Sequence, residues 1–241
     1  MIYDIIFFLA SIIAVLFVFI PHEYAHAYAA YKSGDWTAKL TGRLTLNPVK
    51  HFDPAGFILC IFTGFGWAKP VPINPNNFTH YKRGLFVTAI AGVVTNYIIA
   101  FIVYPLYLTL RQFVFLKYSA YWYDHAALRY LIEFIYLIPY VIYLYSLSVF
   151  VFNLLPFYPL DGFRIIESCT SPYNKARIFL QKYGYYILMI LIIESFVCRM
   201  AVNYANLGFM TYFNILGYYQ QFAQKIIGFP ISAFWDWIFS L

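Results

Sequence analysis

Two imidazoles and a carboxylate stand together in an otherwise apolar run: His22-Glu23-Tyr24-Ala25-His26, preceded by the uncharged stretch Ile5–Pro21. Positions four apart share one face of a helix, so His22 and His26 can both reach a single metal ion. Glu23 projects to the side, where it can take a proton from a water that such a metal activates. At the centre of a membrane helix each group this polar costs about 2.5–3.5 kcal/mol on insertion scales. Residues carried at that cost point to chemistry.

A catalytic zinc of this kind takes three protein ligands and keeps a fourth position open, so a third side chain is needed. Asp4, Asp35, Asp124 and Asp236 lie at chain ends or in loops, where a solvated surface is the default. Glu133 and Glu194 sit near span ends, where snorkelling or pairing explains them, and they stand as rival third ligands. His80 and His125 fall in polar connections, and His51 and Asp53 read as pins for local backbone. Asp161 closes the uncharged run Phe134–Leu160 within Asn153-Leu154-Leu155-Pro156-Phe157-Tyr158-Pro159-Leu160-Asp161-Gly162. The prolines break the helix and expose carbonyls, and Gly162 permits close approach. Alone, Asp161 reads equally well as the end of a span paired with Arg164. Beside His22 and His26 the ligand reading is favoured.

The elements that must position these groups follow from composition. The chain has 241 residues, 63% hydrophobic and only 11% charged. Soluble domains average roughly 25% charged residues. Ile5–Tyr31, Gly84–Leu110 and Phe134–Leu160 each exceed the length of about 20 residues needed to cross a bilayer. The first has no basic n-region and no small-x-small cleavage site, so it reads as a retained helix rather than a signal peptide. Cys60, Cys169 and Cys198 have no metal-like or redox spacing. The net charge of +6 has no dense basic run behind it, which argues against nucleic acid as a partner.

Lysines and arginines instead report topology. Lys32, Lys39, Arg43, Lys50, Lys69, Lys82 and Arg83 outnumber Asp35 and Asp53 between the first two spans, and Arg164–Lys182 is also basic. The positive-inside rule places both connections in the cytoplasm and the N-terminus outside. His26 then lies about 10 Å from the cytoplasmic end of its helix. Thr37–Leu46 alternates polar and apolar residues, the period of a strand or hairpin. Thr41, Arg43 and Thr45 on its polar side are candidate substrate contacts, since an exposed edge can accept an extended peptide. Ala55–Phe65 is too short to span and reads as a re-entrant element, and Gly66–Phe78 as a proline-constrained loop. The expected fold is an α-helical polytopic membrane protein of about 4–6 spans, with a small membrane-associated β-hairpin and a re-entrant segment after the first helix. It is expected to form one domain over 1–241, with a core of about 1–200 and a helical tail over 200–241.

The sequence resembles the site-2 protease family of intramembrane zinc metalloproteases. The resemblance rests on His22-Glu23-Tyr24-Ala25-His26 and on Asn153…Pro156…Pro159-Leu160-Asp161-Gly162. Further similar blocks are Gly42-Arg43-Leu44-Thr45-Leu46-Asn47-Pro48…His51-Phe52-Asp53-Pro54, Gly66-Trp67-Ala68-Lys69-Pro70-Val71-Pro72-Ile73-Asn74 and Ala91-Gly92…Asn96. Val93 stands where the family usually has proline. The resemblance implies one Zn²⁺ per chain held by His22, His26 and Asp161, Glu23 as general base, and Asn153 and Asn96 on the substrate side. It implies a multi-pass protein of a prokaryotic cell membrane, with transmembrane substrates and lipid as partners, and leaves a homo-oligomer open. Family substrates range from anti-sigma factors and pro-sigma factors to leftover signal peptides. A membrane metal transporter and an inactive scaffold relative are the alternatives.

Overall fold

In a bilayer every backbone polar group must find its partner within the protein, so long uncharged segments fold as helices. The computed structural model describes residues 2–63, 68–116 and 125–240. Four of its helices are long and apolar enough to cross a membrane: Ile2–Lys32, Tyr81–Phe113, Ala127–Asn153 and Lys175–Ala205. The chain is a multi-pass membrane protein. Helix α1 is Ile2–Lys32; α2 (Thr37–Leu40), α3 (Pro48–His51) and α4 (Pro54–Thr63) follow as short pieces. Then come α5 (Tyr81–Thr109, continued by a π-helical turn Leu110–Leu116), α6 (Ala126–Asn153), α7 (Asp161–Cys169), α8 (Lys175–Ala205) and α9 (Ile215–Ser240).

Helices α1, α5 and α6 form the centre of the bundle. Ile6, Ala10, Ala14 and Val18 make a buried ridge on α1 that packs against Leu137, Val141 and Ile142 of α6. Small residues at this spacing let helix backbones approach closely where no hydrophobic effect drives them together. The same four-residue step continues through His22 and His26, which are buried as well. The metal candidates are thus the continuation of a packing ridge. Between them and the ridge lies Pro21, accommodated inside the helix.

The expected hairpin is not there. No strand occurs among the described residues, and Thr37–Leu40 is helical. Gly42, at φ +68°, ends that turn: its N–H donates to the Lys39 carbonyl at 3.1 Å and the Arg43 N–H to the Ala38 carbonyl at 2.8 Å. This paired bonding past a left-handed glycine is a helix C-cap, and it overrode the period-two pattern. Leu40 and Leu46 stay exposed rather than sharing a sheet face. Helix α4 has ten residues and touches α1, so it is too short to cross. Gly66, Trp67 and Asp124 lie outside the described residues. In the tail, α9 lies against α6: the Gln224 side chain donates to Ser148 Oγ at 2.8 Å, and Gly228 lets the backbones close on Tyr143 and Leu147.

Candidate metal centre

Helix α1 presents His22 and His26 towards α5, and α5 meets them with its own four-residue ladder, Thr88, Gly92 and Asn96. A Cβ on Gly92 would sit 2.5 Å from His26 Nε2 and 2.7 Å from His22 Cε1, so only a bare backbone fits beneath the two rings. Above and below that gap α5 holds the other ring nitrogens. His26 Nδ1 lies 2.7 Å from the Thr88 carbonyl, and His22 Nδ1 lies 3.1 Å from the Asn96 amide. A carbonyl only accepts, so His26 carries a proton on Nδ1, and in the neutral ring Nε2 keeps its lone pair. Turning the Asn96 amide so that its oxygen faces His22 makes Nδ1–H the donor there too, because amide N and O are interchangeable in shape.

Asp161 arrives from a separate stretch of chain. The prolines after Asn153 end α6, the chain doubles back, and Asp161 becomes the first residue of α7, where a helix N-terminus favours negative charge. Gly162 makes the return possible: a Cβ there would collide with the Leu154 and Leu155 carbonyl oxygens. Asp161 Oδ2 stands 3.2 Å from His26 Nε2 and 3.4 Å from His22 Nε2, and the two Nε2 atoms are 3.0 Å apart. All three residues are buried. Asp161 Oδ2 accepts no hydrogen bond.

Three lone-pair atoms facing one another out of water call for a cation between them. Tetrahedral zinc with bonds of 2.0–2.1 Å sets its donors about 3.3 Å apart, and the observed separations bracket that spacing. Two nitrogens and one carboxylate oxygen also match the donor types of open zinc sites. The residues fit the ion. The rival acids are elsewhere: Glu133 pairs with Arg129 at 3.2 Å, and Glu194 Oε1 accepts from the Ile215 N–H at the start of α9.

Glu23 turns away from α5 towards the connection between α3 and α5. Its Oε2 accepts a 2.9 Å hydrogen bond from the Val71 N–H. Pro70 and Pro72 have no N–H, so Val71 carries the lone donor of this tripeptide, and it is aimed at Glu23. The segment is strapped at both ends. Arg43 Nη2 donates to the Lys69 and Pro70 carbonyls at 2.6 and 3.2 Å, and Lys69 N–H donates to the His51 carbonyl at 3.0 Å. At the far end, the Asn74 N–H and the Asn77 side chain donate to the Asp35 carboxylate at 2.7 and 2.9 Å.

The structure therefore brings His22, His26 and Asp161 together, sets Glu23 at their flank, and places Asn96 behind His22 rather than facing outward. Asn153 donates to the Val149 carbonyl one turn back on α6. Thr41 bonds its own helix carbonyls, Thr45 Oγ1 accepts from Asn47 N–H, and Arg43 holds the strap. Sequence reading missed Thr88, Gly92 and Val71 as neighbours of the site, and took Asp35 for a surface carboxylate although it is fully buried. A signal for two of them existed: Thr88, Gly92 and Asn96 repeat the four-residue step of His22 and His26.

A profile described as "Peptidase family M50" matches residues 10–193. The Bacillus subtilis (strain 168) protein named "Putative zinc metalloprotease YwhC" is 39% identical over 183 residues, covering 76% of this chain and 79% of that protein. The Mycolicibacterium smegmatis protein named "Putative zinc metalloprotease Rip2" is 26% identical over 185 residues, 74% of this chain and 64% of that one. No solved structure matches.

Proposed function

The chain belongs to peptidase family M50, the site-2 protease family, and from that premise we propose that it is an intramembrane zinc metalloprotease cutting peptide bonds in or near transmembrane segments. The observation that carries this reading is the buried meeting of His22 Nε2, His26 Nε2 and Asp161 Oδ2 with Glu23 beside them. Zinc, when bound by those three atoms, supplies Lewis acidity towards the scissile carbonyl and makes water acidic enough to attack near neutral pH. Glu23 accepts the proton that the attacking water gives up and delivers it to the departing amide nitrogen. Val71 N–H holds one oxygen of that carboxylate, so the other is the one available for proton transfer. Thr88 and Asn96 orient the imidazoles, a role that sets ligand direction and basicity in metal sites.

The substrate in this reading is a membrane-embedded protein or peptide of a prokaryotic cell membrane, and the positive-inside distribution supports a site near the cytoplasmic face with the N-terminus outside. A Glu23→Gln variant tests it. Loss of cleavage with zinc retained supports peptide hydrolysis. A metal transporter or a metal-holding scaffold is indicated instead if the wild type cuts no membrane peptide and Glu23→Gln changes nothing measurable.

A further inference from the structure

The carboxylate of the centre has a support that neither imidazole shares. Helix α8 buries Gly184, Leu188, Ser195 and Cys198 on one face. The first of these meets the return loop between Asn153 and Asp161 backbone to backbone. A Cβ on Gly184 would lie 2.6 Å from the Tyr158 N and 3.3 Å from the Phe157 Cα. One turn further on, Leu188 joins Leu155 of the loop and Leu216 of α9 in a buried cluster, with Phe157 and Leu160 packed against it. Helix α8 therefore braces the loop just ahead of Asp161.

The loop passes that contact on. Leu160 N–H donates to the Phe157 carbonyl at 2.9 Å, and Phe163 N–H to the Leu160 carbonyl at 3.2 Å, so residues 157–163 form one bonded piece. The Tyr158 ring stands edge-on to Phe163, with centroids 5.7 Å apart, and Phe163 is buried on the same first turn of α7 as Asp161. Helix α8 is itself tied, at Leu188 by the leucine cluster and at Glu194, whose Oε1 accepts from the Ile215 N–H of α9 at 3.4 Å.

We infer that Gly184 is a positioning residue of the metal centre: by admitting the loop backbone against α8, it sets where Asp161 Oδ2 stands relative to the two imidazoles. The inference rests on the zinc reading above and extends it to a span that supplies no ligand. Relieving a 2.6 Å contact to ordinary packing takes a shift of about 1 Å. A metal bond tolerates about 0.2 Å. A larger side chain at 184 thus withdraws the carboxylate, while His22 and His26 keep the hold that α5 has on them.

The test uses the full-length protein in phosphatidylglycerol–phosphatidylethanolamine vesicles, loaded with zinc or with cobalt(II), whose visible absorption bands report ligand geometry. Gly184→Ala should lower zinc affinity by about 10–100-fold in a chelator competition, the range for lost support of a ligand. At saturating cobalt its bands should weaken against wild type, which a packing defect remote from the carboxylate would not cause. Gly228→Ala is the matched control. A Cβ there crowds the Leu147 and Tyr143 side chains at 2.9 Å, between α9 and α6, and both readouts should stay at wild-type values. Tyr158→Ala removes the edge contact with Phe163 and should lower zinc affinity by about 2–10-fold. If Gly184→Ala fails to accumulate in the membrane, Tyr158→Ala decides, and wild-type affinity in it overturns the inference. Wild-type affinity and bands in Gly184→Ala mean that α8 gives way instead of the loop, which overturns the inference alone, as does an equal loss in Gly228→Ala. A wild-type protein that binds neither zinc nor cobalt overturns the zinc reading and the inference with it.

Discussion

The two faces of α1 around residue 23 are built by different means. The face carrying His22 and His26 meets another long helix, with Gly92 beneath the rings and Thr88 and Asn96 gripping them. The face carrying Glu23 meets the 69–74 connection, whose Val71 N–H bonds its carboxylate. It is closed by the strap at residues 69–74, which is held by Arg43, Asp35 and the His51 carbonyl. Helix-on-helix packing gives the proposed metal ligands a rigid bed. A strap tied by hydrogen bonds gives the proposed base a position that depends on a few buried polar residues. On the proposed reading, the difference teaches that holding an ion and moving a proton can fail separately in this protein.

The largest expected effect separates the faces outright. Glu23→Gln should lower cleavage by about 10²–10⁴-fold, the usual contribution of a positioned acid–base group, with metal content unchanged. His22→Ala and Asp161→Ala should instead lose the metal. Joint loss of metal in the Glu23 variant would merge the two faces into one unit.

Next comes the bed itself. Gly92→Ala forces a Cβ to within 2.5 Å of His26 Nε2 as the rings now lie, so the imidazoles must move. We expect metal affinity to drop by about 10–100-fold in a chelator competition, the range seen when supporting contacts of ligands are lost. Gly42→Ala is the contrast on the other face. A Cβ there meets nothing within 4 Å, but φ of +68° strains it, costing about 1–2 kcal/mol of local stability without touching the metal.

A smaller effect is expected for Arg43→Ala. Bonds from a charged donor are worth about 1.5–3 kcal/mol each, and their removal frees the Lys69 and Pro70 carbonyls. Hydrogen exchange at the Val71 N–H should rise and turnover fall, while zinc stays bound. Unchanged exchange there would mean that Arg43 does not tension the strap.

The smallest effect is a pH dependence confined to the strap face. Burial pushes the Asp35 carboxyl up, but bonds from Thr37, Asn77 and Asn74 outweigh it and hold the carboxyl below its ordinary value. A depressed carboxyl stabilises the fold fully above its unfolded pKa of about 3.9, and that stabilisation disappears as pH falls through the lower folded value. The protection factor of the Asn74 N–H, its exchange corrected for the intrinsic pH dependence of amide exchange, should thus be flat from pH 7 to pH 5 and fall below about pH 4. Asp35→Asn should remove the acid dependence. An acid response that survives in that variant assigns it to another group.

Legibility in the sequence follows the same division. The spanning helices were plain because a bilayer leaves an uncharged run no other way to satisfy its backbone. His22, Glu23 and His26 declared themselves as polar groups inside such a run, and Asp161 as the charge that ended another. Within the 33–80 connection, Thr37–Leu46 was misread. Alternation over Thr37–Leu46 suggested a strand, whereas Gly42 capped a short helix and the Thr41, Arg43 and Thr45 side chains turned to partners within the chain. Asp35 has the same loop-like surroundings in sequence as any exposed acid. Its burial comes from partners 39 and 42 residues away, Asn74 and Asn77.

By itself, then, the sequence determined the membrane class, the helices and the chemical kind of the site, because hydropathy, helical spacing and residue chemistry act over a few turns of chain. Only the tertiary structure decided that Gly92 underlies both imidazoles, that Asp161 meets them, and that Val71 grips Glu23. Those contacts join positions tens of residues apart, and their energy depends on distances of a few ångströms that no local pattern encodes.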